Sequence, residues 1–228
     1  MPMELAPLKR KLGLQRTALP SMEVFEGAVR GRPVVAVVTG IGTARAERQV
    51  TRLFDAVTID RVVVVGIAGS IEEGIAIGAP VVPDVVVDGA SGTEYRPERL
   101  GSEDRRGKLW TSDDLITDDE VIAGLRGDGV VAVDMETATV AALCEQRHTP
   151  WSVFRCVSDR TSDGSVNEEV LGLSRPDGTP DTKAVVAHLA KHPASIRALA
   201  RMAGDARLAC RVAAERAVEA VSLSPPGR

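Results

Sequence analysis

The stretch Gly129–Gly164, GVVAVDMETATVAALCEQRHTPWSVFRCVSDRTSDG, constrains the fold more than any other. Val130–Val133 and Trp151–Val157 are short apolar runs rich in β-branched and aromatic residues, the pattern of buried strands. Between them, Glu136–Arg147 carries Ala, Val and Leu at helical spacing, so the unit reads strand, helix, strand. Asp134, Met135 and Glu136 follow the first strand, and Ser158 and Asp159 end the second. In an open parallel sheet, ligands bind at the carboxyl ends of strands. Carboxylates at equivalent ends of neighbouring strands therefore mark a candidate site. Taken singly, Glu136 also fits a first-turn helix acid favoured by the dipole, and Asp159 an ordinary loop acid.

The rest of the chain supplies material for the same layered architecture. Pro33–Thr39 and Arg61–Val65 read as strands, and Ser21–Arg30 as a weaker one. Gly40–Ile41–Gly42 turns the chain into a helix whose apolar face carries Val50, Leu53, Phe54 and Val57. Gly66–Ser70 reads as a second glycine-rich turn. Pro83 demotes one half of Pro80–Asp88 to an edge or bulge. Gly89–Lys108 is a polar loop containing Tyr95, and such loops often border active sites. A helix is expected from near Ser112–Asp114. Glu4–Leu12 is helical, with Pro7 in its first turn. After a second polar excursion, Thr161–Asp181, the pattern is helical over Lys183–Lys191, Pro193–Met202 and Asp205–Val221, and residues 223–228 should fray.

Composition narrows the class. The 228 residues are 44% hydrophobic, 26% charged and only 3% aromatic, which suits a Val-rich sheet covered by Ala-rich helices in a single domain over 1–228. About 182–223 forms a helical C-terminal extension. A net charge of −4 gives no reason to expect a nucleic acid or an anionic membrane as partner. Cys144, Cys156 and Cys210 form no CxxC pair and read as buried free thiols of a cytoplasmic protein. No apolar stretch approaches the length of a membrane span.

Several motifs fail on inspection. Gly40–Ile41–Gly42 lacks the third glycine of a dinucleotide fingerprint, because Arg45 stands there, so a nicotinamide cofactor is not expected. His188 and His192 have zinc-helix spacing, but Leu189 replaces the glutamate base of a metalloprotease. They read as solvated helix-end histidines, with no metal expected. Gly89–Gly92 misses the nucleophile elbow, and no phosphate-binding GxxxxGK[ST] occurs.

In chain order, VVTGIG at Val37–Gly42, GIAGSIEEGIAIGAPVV at Gly66–Val82, VDMETATVA at Val133–Ala141 and FRCVSD at Phe154–Asp159 resemble motifs of the nucleoside phosphorylase-I superfamily. The nucleosidase branch acting on methylthioadenosine and adenosylhomocysteine is the most similar. The resemblance implies a three-layer α/β/α fold around a mixed, largely parallel twisted sheet. Members carry a strand before the helix that ELAPLKRKL resembles, so the sheet would lack its first strand.

For activity the resemblance implies cleavage of the N-glycosidic bond of a purine nucleoside by water, without a cofactor. Asp159 would be the acid at purine N7, Glu136 the acceptor for the 2′- and 3′-hydroxyls, and Glu4 the base that activates water. Met135 would pack under the sugar and Ser158 would hold Asp159. Ile67, Ala68 and Gly69 would line the base or nucleophile side, with Leu115 or Ile116 capping the base. Ile67 replaces the branch's usual serine. The arginine that holds phosphate in phosphorolytic branches is absent from Val65–Ile67, although Arg45, Arg48 or a partner subunit could supply the charge. Two alternatives therefore stay open: a phosphorylase with phosphate as co-substrate, and an inactive nucleoside-binding protein. LSRPDGTPD in the tail is more similar to hopanoid-associated phosphorylase-like proteins, which leaves the 5′-substituent open. A homo-oligomer, a dimer as first expectation, is implied as well.

Overall fold

A computed structural model describes residues 1–19, 22–101, 106–161, 164 and 166–223. Helix α1 spans Pro2–Leu12. Leu5, Leu8 and Leu12 face Leu14 and Phe25 in one apolar cluster. The helix starts two residues earlier than its periodicity suggests, so Pro7 lies beyond the first turn, where the proline lacks the N–H that would have bonded the carbonyl four residues back.

Strands β1 (Gln15–Leu19), β2 (Met22–Val29) and β3 (Arg32–Ala36) form a separate antiparallel sheet. Arg30 and Gly31 make the two-residue connection from β2 to β3, both at positive φ (48° and 80°), as a type I′ hairpin turn requires. Helix α2 (Thr43–Ala56) follows the first glycine turn and buries Ala46 and Val50.

The main sheet has seven strands in the order β5-β10-β4-β9-β8-β6-β7. They are β4 (Val62–Ser70), β5 (Pro80–Val81), β6 (Val85–Asp88), β7 (Glu94–Tyr95), β8 (Lys108–Thr111), β9 (Val130–Asp134) and β10 (Trp151–Arg160). β10 runs parallel to β4, and β6, β8 and β9 run parallel to one another. The two groups join where β4 meets β9 antiparallel at Gly69–Val133 and Ser70–Ala132. The mixed sheet is thus as expected, but β9 and β10 are not neighbours: β4 lies between them.

Helix α4 (Thr137–Gln146) packs with α2 on one face, where Ala46, Val50, Ala138, Ala141 and Cys144 meet Val153 and Val157. On the other face, helix α7 (Ile196–Leu223) sets Ala209 and Ala213 against Cys156, and Ala217 and Ala220 against Phe154. Helix α3 (Asp119–Gly127) covers Ile71 and Val130. Short α5 (Glu168–Leu171) and α6 (Thr182–Lys191) occupy the C-terminal region. All three cysteines are buried and none is in a disulfide. No helix among the described residues is long and apolar enough to cross a membrane.

Other expectations need correction. Gly66–Ser70 is the second half of β4, not a turn. The helix expected near Ser112–Asp114 begins at Asp119, where the Asp118 carboxylate caps it. Asp113 serves α2 instead, accepting from the Thr43 N–H at 2.7 Å. Pro193–Met202 and Asp205–Val221 merge into α7 after a 3₁₀ turn at Pro193–Ser195. Tyr95 pairs with Val86 on the edge strand β7 and packs on the core. The fraying expected of residues 223–228 falls outside the described residues beyond Leu223, which ends α7.

Candidate active site

Period-2 alternation puts Arg155 on the same face of β10 as Val153 and Val157. A guanidinium on a core face requires carboxylate partners, and the chain supplies three. Arg155 Nη2 donates to Asp134 Oδ2 at 2.5 Å and to Glu136 Oε2 at 3.4 Å, while Nη1 lies 3.5 Å from Glu4 Oε1. The arginine side chain is 5% exposed. Burial works against its charge, but Asp134, Glu136 and Glu4 outweigh that and hold its pKa above the ordinary value.

Each carboxylate is placed by a different element. Asp134 ends β9 and accepts from Thr111 Oγ1 at 2.6 Å and from the Thr137 hydroxyl. Thr111 in turn accepts from the Ala138 N–H at 3.0 Å, which locks the start of α4 to β8. Glu136, the residue before α4, accepts from the Gly42 N–H at 3.1 Å. The first glycine turn therefore delivers a backbone donor to this carboxylate. Burial pushes the Glu136 pKa up to about 7; the charges of Asp134 and Glu4 add to the rise, while Arg155 and the Gly42 N–H oppose it.

Glu4 reaches over from α1. Its Oε1 accepts from the Ile67 N–H at 3.0 Å, and its other oxygen meets the Met1 amine. This approach crosses Gly66, where a Cβ would overlap both Glu4 Oε1 and Arg155 Nη1. Glycine interrupts β4 here because two side chains need that space.

Three residues further along β4, Gly69 faces Asp159 across the parallel pair. The register shifts between Val157 and Asp159, so Ser158 sits in a bulge, a device that re-aims side chains at strand ends. Ser158 Oγ donates to Asp159 Oδ1 at 2.5 Å and lies 3.4 Å from the Ala68 carbonyl. A Cβ on Gly69 would stand 3.1 Å from Asp159 Oδ2 and 3.4 Å from Val133 Cγ2. At the strand rise, the Gly66 and Gly69 positions are roughly 10 Å apart.

The expected residues therefore fall into two groups on one strand. Glu4 and Glu136 gather on Arg155 beside Gly66; Ser158 and Asp159 sit beside Ala68 and Gly69. Met135 is half-buried between Asp134 and Glu136. Ile116 and Val133 each pack against the buried cluster that contains Ile71 and Ile122, and Val133 also borders Gly69. Ile67 joins the site through its N–H, while its side chain packs with Cys156 and Ala213 under α7. Sequence reasoning left Arg155, Asp134 and Gly42 without roles. The first was detectable, being a charge inside the otherwise apolar run Trp151–Val157.

Comparisons with known proteins place the chain in a family. The sequence family described as the phosphorylase superfamily matches residues 1–104 and 96–191. A 5′-methylthioadenosine/S-adenosylhomocysteine nucleosidase of Haemophilus influenzae strain PittEE is 27% identical over 190 residues, covering 69% of this chain and 82% of its own. The crystal structure of a Neisseria meningitidis nucleosidase of the same name, in complex with methylthio-immucillin-A, superposes with a TM-score of 0.69 at 19% identity, over 97% of this chain and 95% of that one. The futalosine hydrolase of Helicobacter pylori reaches 0.68 at 15% identity, over 97% and 94%.

Proposed function

Because the chain belongs to the phosphorylase superfamily, we propose that it cleaves the N-glycosidic bond of a purine nucleoside, a 5′-modified adenosine, with water as the nucleophile. The observation that carries the reading is Glu4 held across Gly66 by Arg155 and the Ile67 N–H. That carboxylate is oriented, desolvated and close to a second carboxylate suited to a ribose, as a general base for water must be.

In this mechanism, Asp159 donates a proton to purine N7, and the bond from C1′ to the purine breaks with its electron pair leaving on the base. Positive charge grows on the ribosyl ring. Glu4, Asp134 and Glu136 outnumber the two cations they meet, the Arg155 guanidinium and the Met1 amine, so their excess negative charge favours the ribosyl cation. Glu136 accepts from the 2′- and 3′-hydroxyls, and Met135 packs under the sugar. Glu4 takes a proton from water as the water oxygen bonds to C1′. No cofactor enters these steps. The same charge balance disfavours phosphate, which would meet three carboxylates and a guanidinium already engaged by them.

The curated relatives are named for methylthioadenosine and adenosylhomocysteine, and this supports a 5′-thio-substituted adenosine as the substrate class. We further infer a cytoplasmic homo-oligomer, which size-exclusion chromatography with light scattering would check. The deciding experiment is chromatography of adenosine and methylthioadenosine incubated with the protein, with and without phosphate. Adenine and free sugar in the phosphate-free tube are expected. Adenine only with phosphate would make it a phosphorylase, and thermal stabilisation by nucleoside without turnover would make it a binding protein.

A further inference from the structure

Away from the sheet, Glu169 of α5, His188 of α6 and His192 just beyond α6 bring three potential ligand atoms within 4.8 Å of one another. The histidines are four residues apart, which sets both rings on one side of the helix end, with centroids 5.0 Å apart. They are not the solvated pair that the sequence suggests: the His188 side chain is 10% exposed, whereas His192 is 56% exposed.

The hydrogen bonds around His188 fix its tautomer. Ser195 Oγ donates its one proton to the His192 carbonyl at 2.7 Å. Towards His188 Nε2, 3.1 Å away, that oxygen must accept. Nε2 therefore carries a hydrogen, and in the neutral ring Nδ1 presents a lone pair. That lone pair faces Glu169 Oε1 at 2.9 Å, and His192 Nε2 lies 3.6 Å from the same oxygen. Two acceptors pointed at each other demand a positive centre between them, either a proton or a metal ion.

We propose that Glu169, His188 and His192 form a binding site for a divalent transition-metal ion of the zinc class. Two imidazole nitrogens and a carboxylate oxygen suit Zn²⁺ and its neighbours better than Mg²⁺ or Ca²⁺. The bond from His188 to Ser195 is the outer-shell contact that holds a ligating imidazole in the correct tautomer. Exposed Glu169 and His192 leave an approach from solvent and room for water as a fourth ligand. The ion would tie α5 to the end of α6, closing a loop of 19 residues.

The test uses the full chain, free of any affinity tag and stripped by chelator dialysis. Zn²⁺ binding is measured by calorimetry, and Co²⁺ is titrated for the visible bands of a low-symmetry N/O site. One ion per chain is expected, weakened about tenfold or more by either His192→Ala or Glu169→Gln. Both replaced side chains are exposed, and circular dichroism checks that each variant folds. Absence of binding with Zn²⁺ in excess would mean that a proton alone bridges the pair and would overturn the proposal, as would unchanged affinity in either variant.

Discussion

Gly66 and Gly69 stand on one strand, three residues apart, and the carboxylates facing them are held in opposite ways. Beside Gly66, Glu4 is fixed by a guanidinium and a backbone N–H, and Asp134 and Glu136 share the same cation. Beside Gly69, Asp159 accepts from the adjacent hydroxyl of Ser158. A guanidinium can only donate, so it favours the ionised form of whatever it holds. A hydroxyl can donate to a carboxylate and accept from a carboxylic acid, so it stays bonded while a proton comes and goes. The first arrangement suits groups that orient water and sugar and stabilise a cation; the second suits an acid that must deliver a proton.

The sharpest way to break this contrast is Asp159→Asn. The amide keeps the shape and the bond to Ser158 but has no acidic proton. The turnover number is expected to fall about 10²- to 10⁴-fold with KM little changed. Steady-state kinetics with methylthioadenosine would measure it, and near-wild-type turnover would remove Asp159 from its role. Next comes Arg155→Met, which should strike stability first. It strands Asp134 and Glu136 without their cation and leaves Glu4 only the Met1 amine, a loss of about 3–5 kcal/mol when a buried pair is broken from one side. Urea unfolding reads it; a shift below about 1 kcal/mol, the range of surface pairs, would mean that solvent already screens the cluster.

Glu136→Gln gives an effect of opposite sign. The folded protein holds the Glu136 proton more tightly than the unfolded chain between pH 4.5 and about 7. Stability from this group is therefore fully present below 4.5 and is lost as pH rises through 7. The raised value corresponds to at most about 3–4 kcal/mol at about 1.4 kcal/mol per pH unit. Glutamine removes the ionisation, so the variant should be more stable than wild type at pH 8 and closer to it at pH 5, while its KM rises. Thermal melts at the two pH values check the first claim. A variant less stable than wild type at pH 8 would show that Arg155 dominates over burial.

How much of this was legible depends on what each residue has to satisfy. β9, α4 and β10 were readable because buried parallel strands are continuous apolar runs and their helix keeps its own period. β1 (QRTAL) was missed because its residues are exposed or half-exposed, leaving no apolar alternation to read. Ser112–Asp114 looks like a helix start because its residue types cap helices, but Asp113 spends its carboxylate on α2. Gly204 looks like a break, yet α7 runs through it; an exposed helical glycine costs only about 1 kcal/mol, less than the Ala-lined face gains on the sheet. In the site, Glu136 and Asp159 stood out as acids at strand ends. Arg155 was visible but unassigned, since its partners come from α1, β9 and the start of α4, which only the topology assembles. The same holds for His188, whose burial depends on Ser195 and α5.

The glycines themselves test the comparison with the smallest perturbation, one methyl group at each end. At Gly66 the methyl would enter space that Glu4 Oε1 and Arg155 Nη1 occupy. Neither can yield cheaply, because each is tied into the buried ion cluster, so Gly66→Ala should destabilise by about 1–3 kcal/mol, as overpacking does, and lower turnover by displacing Glu4. At Gly69 the nearest atom is Asp159 Oδ2 at 3.1 Å, and a carboxylate at the end of a side chain can rotate by a few tenths of an ångström. Gly69→Ala should therefore leave stability within about 0.5 kcal/mol of wild type and act mainly on turnover, through the aim of the acid. Paired denaturation and kinetic measurements separate the two. Equal stability losses would mean that Asp159 is as rigidly held as Glu4, and the division of labour between a locked anionic end and an adaptable acidic end would fail.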